Sequence, residues 1–230
     1  VISGGQFNVA SSLWASVGGG TCNLASGIGS VISGGCCNIA SGYKWSSIGG
    51  GCRNTASGGY SIVGGGRLNT ASGSLSVVAG GCCNTASAYS STVGGGFQNA
   101  SSYDYSTVSG GLGNTASKSV SFIGGGSNNL SCGVGSTVGG GSFNTASCDS
   151  SSILGGFCNT ASSSYSSIVG GKCNNTSTFA DAMIVGSCIT ADRACATFVN
   201  NLSIKNIPTS SAGLPSGSIW SSSGVLCIVP

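Results

Sequence analysis

The chain has 230 residues, of which 43 are glycine and only 5% are charged; it has no histidine and a net charge of +3. Charge this low beside 40% hydrophobic residues and three prolines excludes a disordered tail, and an ordinary globular domain would carry about 25% charged residues. Glycine without a strict every-third spacing excludes collagen, and scattered charges offer no patch for nucleic acid or an anionic membrane. No apolar run approaches the roughly 18 residues of a membrane span, so neither nucleic acid binding nor membrane insertion is expected.

In chain order, the sequence opens in mid-motif at Val1-Ile2-Ser3-Gly4-Gly5, with no legible signal peptide, and reads as a processed or incompletely bounded product. A repeat then runs through most of the chain. Its reference asparagine recurs at Asn8, Asn23, Asn38, Asn54, Asn69, Asn84, Asn99, Asn114, Asn129, Asn144, Asn159 and Asn174. Every interval is 15 residues except the 16 between Asn38 and Asn54, where Lys44-Trp45 is expected to add a bulge. A degenerate thirteenth copy puts Ile189 at the asparagine position.

With the asparagine as position 0, position −6 is apolar in every copy: Ile2, Val17, Ile32, Ile48, Val63, Val78, Val93, Val108, Ile123, Val138, Ile153, Ile168 and Met183. Position +2 is alanine in nine of the first twelve copies, and a serine follows almost everywhere. Fifteen residues are too few for a helix pair or a propeller blade; they suit one coil of a parallel β-roll with two short strands and two tight turns. The expected fold is therefore all-β, a parallel β-roll or β-solenoid of about thirteen 15-residue turns spanning residues 1–191. A neck and cap follow over residues 192–230. Coils stack at about 4.8 Å, which makes a rod roughly 60 Å long and turns each position into a ladder of like residues. Valine and isoleucine suit inward strand positions, glycines suit corners with positive φ, and stacked asparagines can bond to one another. One valine, glycine, asparagine and alanine per coil make a thin core for a lone chain. Glycine triplets such as Gly64-Gly65-Gly66 would let identical chains approach closely, and a trimer is the expected assembly.

The valine, glycine and N-T-A-S rhythm resembles the head repeat of trimeric autotransporter adhesins, in which three parallel β-rolls pack about a threefold axis. It is more similar still to G-G-G-x-x-N-T-A-S-G repeat regions of phage and algal-virus tail-fibre-like proteins. The likeness covers about residues 1–191, and it departs from the adhesin heads by placing glycine where they often have isoleucine and asparagine where they have alanine. Leu214-Pro215-Ser216-Gly217-Ser218-Ile219-Trp220 and Gly224-Val225-Leu226-Cys227-Ile228-Val229 resemble a short C-terminal hairpin of such virion proteins, expected to cap the last turns, with a tip or inter-subunit contact as the alternative.

Thirteen cysteines are the most reactive feature, and nine of them precede the reference position by one or two residues: Cys22, Cys36, Cys37, Cys52, Cys82, Cys83, Cys158, Cys173 and Cys188. Stacked coils bring equivalent Cα atoms within the disulfide range, so Cys22–Cys37 or Cys158–Cys173 could be bridged, with Cys188 next in the same column. The alternative is a ladder of small, reduced, half-buried residues. Without histidine or a C-x₂-C pair there is no basis for a zinc site or an activated nucleophile, so neither metal nor cofactor is expected. The carboxylates Asp104, Asp149, Asp181 and Asp192 lie on separate coils, which argues against a paired-carboxylate site and against an enzyme. Trp14, Trp45, Tyr60, Tyr89, Tyr103, Tyr105 and Tyr165 cluster near one corner, either covering the roll or forming an outward stripe for a glycan or receptor. N-x-[ST] sequons fall at Asn99, Asn129, Asn174, Asn175 and Asn201.

These readings lead first to a homotrimeric fibre or adhesin shaft, exposed on a virion or cell surface, that presents or spaces a host-binding tip. Two other classes compete: a self-assembling extracellular filament subunit, and an ice-binding solenoid. The last would use the ladder of Thr55, Thr70, Thr85, Thr115, Thr145 and Thr160, which Val9, Leu24, Ile39, Leu130 and Asn175 interrupt.

Overall fold

The computed structural model describes residues 1–201, 207–222 and 225–228, so Gly224 and Val229 of the expected hairpin lie outside the described residues. The chain divides into two compact units, Val1–Val199 and Asn200–Pro230.

The first unit is a β-solenoid of about thirteen coils built from two parallel sheets. One sheet has 11 strands of two residues each, from Val9–Ala10 to Thr160–Ala161. The other has 13 strands, from Ser16–Val17 to Thr197–Val199. Both are strictly in register, so Thr55, Thr70 and Thr85 pair in sequence across one sheet, and Val78, Val93 and Val108 across the other. Single bridges at position −2, from Gln6↔Thr21 to Phe157↔Lys172, form a third line of contact. In each two-residue strand after the first, the first side chain faces out and the second is buried, the period-2 alternation of a β-strand at its shortest.

Four inward columns fill the interior. The valine–isoleucine column from Val17 to Ile168 and the alanine column from Ala25 to Ala161 are buried. The asparagine column is buried from Asn23 to Asn174, and beside it lies a serine column at position +7, from Ser30 to Ser166. Sequence reading did not place that serine column inside. Its hydroxyls are mostly spent on local carbonyls, as in Ser61 Oγ to Gly58 O at 2.8 Å and Ser136 Oγ to Gly133 O at 2.8 Å. Where serine replaces alanine at position +2, the extra hydroxyl is also paired: Ser101 Oγ donates to Ser106 O at 2.7 Å, and Ser131 Oγ to Ser136 O at 2.9 Å. These columns fill the interior of the single chain.

Each asparagine is a staple between coils. The Nδ2 of Asn84 donates to Gly80 O of its own coil and to Gly96 O of the next, both at 2.9 Å, and its Oδ1 accepts the Asn99 N–H at 2.9 Å. The same three bonds recur from Asn23 to Asn174, where Ile189 N–H donates to the last Oδ1 at 3.0 Å. Some neighbours add an amide-to-amide contact, such as Asn38 Nδ2 to Asn23 Oδ1 at 3.1 Å. The rung is thus chiefly a side-chain clasp: it pairs one carbonyl of its own coil and the next asparagine's N–H, and adds a second donor to a next-coil carbonyl that already accepts a backbone N–H.

Three coils depart from 15 residues, two of 16 and, between Met183 and Thr197, one of 14. The extra residue of the third coil is taken up between Gly42 and Trp45, and Ser47 and Ile48 recover register with Val31 and Ile32. In the twelfth coil Ile168 pairs with Ile184, which is buried, while Met183 is outward and 39% exposed; Met183 therefore does not continue the core column. The parallel sheet also runs past residue 191, because Met183–Val185 pairs with Thr197–Val199.

In the second unit, Ile219–Ser222 pairs antiparallel with Val225–Ile228 as a hairpin, and Ser221 N–H donates to Pro208 O at 2.8 Å.

Candidate functional site

Most of the thiols and the aromatic rings lie on the outside of the solenoid, at or beside its two left-handed corners. Among the described residues, twenty-four non-glycine residues have positive φ, nearly all at positions −1 and +6. They include Phe7, Cys22, Cys37, Arg53, Cys83 and Phe143 at the first corner, and Trp14, Trp45, Tyr60, Tyr105 and Tyr165 at the second. Such a conformation costs an L-residue about 1–2 kcal/mol. What offsets it here is a backbone bond to the preceding coil: Cys37 N–H to Thr21 O at 2.9 Å, Tyr60 N–H to Lys44 O at 2.7 Å. The sequence signal that could have exposed these columns is the glycine found in three coils: Gly113 at position −1, Gly29 and Gly135 at position +6, all with φ near +64°.

The second corner carries the aromatic stripe. Trp14 is 73% exposed and Tyr165 67%, so these rings do not cover the core. Trp14 and Trp45 stack with ring centroids 6.1 Å apart, leaning over Gly29, where any Cβ would strike the Trp45 ring. Tyr89 and Tyr105 meet edge to face at 5.6 Å, and the Lys118 ammonium sits 5.7 Å from the Tyr103 ring centroid. Asp104 Oδ1 accepts the Tyr89 N–H at 3.1 Å, and Asp149 Oδ1 accepts the Val134 N–H at 2.9 Å. These two carboxylates tie successive coils at the corner. Asp192 is ion-paired with Arg193 at 2.8 Å, and the hydrogen bond from that guanidinium holds its carboxyl below the usual range.

The first corner carries nine of the cysteines, Cys22, Cys36, Cys37, Cys52, Cys82, Cys83, Cys158, Cys173 and Cys188. The twelve cysteines whose side chains are described are free: of the two alternatives for Cys22–Cys37 and Cys158–Cys173, the thiols are unbridged here, and Cys188 is likewise unbonded and exposed. The thiols converge instead between sequence neighbours: Cys36 and Cys37 Sγ atoms are 3.3 Å apart, and those of Cys82 and Cys83 are 3.2 Å apart. Among the described residues no group of three or more His, Cys, Asp or Glu side chains is arranged to hold a metal ion.

Of the sequons, Asn99, Asn129 and Asn174 are rungs of the buried staple and have no amide to offer a glycan. Asn175 points outward, with its Oδ1 accepting the Ser177 N–H at 2.7 Å.

The outward face of the first sheet carries the Thr55, Thr70 and Thr85 run, continued after Ala100 by Thr115 and, beyond Leu130, by Thr145 and Thr160. A parallel row of outward serines at position +3 runs beside it, including Ser57, Ser72 and Ser87. The described residues form no pocket. Among the described residues no helix is long and apolar enough to cross a membrane. No family model matches the chain, and no curated protein matches it significantly.

Proposed function

We propose that this chain is a structural rod, the shaft of a homotrimeric fibre or adhesin displayed on a virion or cell surface, which spaces or presents a binding tip. The observation that carries the reading is the division of labour between columns: every inward column is closed, and all diversity of side chain lies on continuous outward columns without a cavity. Such a surface suits extended contact with another surface and offers no enclosed place for turnover of a small substrate. Exposed Val31, Ile62, Phe122, Leu154 and Val169 on the valine-sheet side supply apolar contacts for association between copies. Sedimentation equilibrium of the purified chain is expected to give a trimer, and negative-stain images discrete thin rods; a strict monomer at micromolar concentration would overturn the fibre assembly.

A second reading rests on the threonine and serine rows. Their hydroxyls repeat along the rod at the strand spacing of about 4.8 Å on an uncharged face, a regular array suited to ordered water at an ice surface. Thermal hysteresis that disappears in the Thr70→Lys variant would replace the fibre reading with this one.

A further inference from the structure

Consecutive side chains of a strand point to opposite faces, and two neighbouring cysteines would normally diverge. Here the second cysteine of each pair sits in the left-handed corner column, with φ 56° at Cys37 and 60° at Cys83. That conformation swings its side chain alongside the first, and the two sulfurs meet at 3.3 and 3.2 Å. The solenoid corner therefore builds a dithiol wherever positions −2 and −1 are both cysteine. Arg67 stands in the same column one coil before Cys82, paired with it across the coil interface, whereas Cys36 is followed one coil later by Cys52. Both pairs are solvent-accessible, Cys36 being exposed and the other three half-buried.

We propose that the converging sulfurs of Cys82–Cys83, and likewise those of Cys36–Cys37, form two-sulfur binding sites for a soft, thiophilic metal or metalloid ion. Soft ions select thiolate donors, and binding requires the thiols to lose their protons. Each pair has an arginine in a neighbouring coil: Arg67 pairs with Cys82 across the coil interface, and Arg53 N–H donates to Cys36 O at 2.9 Å.

Phenylarsenoxide is a suitable probe, because one arsenic forms two As–S bonds, consumes two S–H groups and releases one water. Titrated into the reduced chain at neutral pH and mapped by mass spectrometry, the first two equivalents are expected on the peptides holding Cys82 and Cys83 and holding Cys36 and Cys37. Cys82→Ser with Cys83→Asn, the residues that Ser127 and Asn128 supply at the same positions, removes the adduct at Cys82–Cys83 and leaves that at Cys36–Cys37. The Cys82→Ser variant alone does the same, and an unchanged far-ultraviolet circular dichroism spectrum establishes that either variant is folded. Arsenic found first on cross-coil pairs such as Cys22–Cys37 or Cys158–Cys173, or retained at coil six in the double variant, overturns the proposal. Neither outcome bears on the fibre reading, which the assembly state tests.

Discussion

At the scale of single residues, the asparagine staple and the glycine three positions before it form one device. Gly81 has φ 87°, and an added Cβ would collide with Gly96 O of the next coil and with the Asn84 amide. Gly80, its neighbour, has nothing within 4 Å of such a Cβ. Gly81→Ala is expected to cost about 2–5 kcal/mol, combining left-handed strain with overpacking. Gly80→Ala should stay within about 0.5 kcal/mol, as surface substitutions do. Urea midpoints of the two variants check this contrast, and equal midpoints would mean that the corner relaxes freely. Asn84→Ala removes three bonds to backbone groups at 2.9 Å. Gly96 O keeps the Cys82 N–H as a donor, while Gly80 O and the Asn99 N–H lose their partners in a buried strip. At about 1–3 kcal/mol per orphaned group, relieved where water enters the gap, the expected loss is roughly 2–5 kcal/mol. Amide hydrogen exchange should place the new opening at Asn99, whose N–H the Asn84 Oδ1 had held.

At the scale of the coil, the core column decides register, and the alternation within each two-residue strand leaves it no freedom to slip. Ile123 is fully buried between Val108 and Val138. Ile123→Val copies what its neighbours already carry and should cost about 0.5–1.5 kcal/mol, while Ile123→Ala leaves a cavity worth about 2–5 kcal/mol. Thermal unfolding of the pair would show the Val variant close to the parent and the Ala variant well below it. The same column explains what could be read from sequence. Period, asparagine, valine and alanine were legible because each position repeats one residue type. The left-handed corners were not, because their occupants range over Phe7, Cys22, Arg53 and Gln98, and intrinsic preference points to glycine. Free energy at those corners comes from a backbone bond to the previous coil, which no local propensity reports. The buried serine column was hidden for a related reason: serine usually faces water, and its burial depends on carbonyls three residues back, such as Gly58 O for Ser61. Ile184 displaced Met183 because both are apolar and adjacent, and coil length alone settles which one turns inward.

At the scale of the whole solenoid, every coil contacts only its neighbours, so length should be separable from fold. Removing residues 85–99 joins Asn84 to Ala100 and deletes one coil without moving any column out of register. That variant should fold, unfold at a similar denaturant concentration, and be shorter by about one strand spacing of 4.8 Å. A single extra residue tests the same logic more severely, because its effect depends on where it falls. The third coil already holds one between Gly42 and Trp45, where Tyr43 is 76% exposed and Trp45 keeps its left-handed φ of 53°. Glycine inserted between Gly73 and Leu75 reproduces that arrangement and is expected to leave folding nearly unchanged. Glycine inserted between Thr70 and Ala71 turns the buried alanine outward and drives a polar neighbour toward the interior, breaking the sheet on both sides of that coil. Limited proteolysis distinguishes the outcomes: the corner insertion stays resistant, whereas the strand insertion is cut near residue 70. Resistance in both would mean that the columns, and not the corners, absorb changes of length.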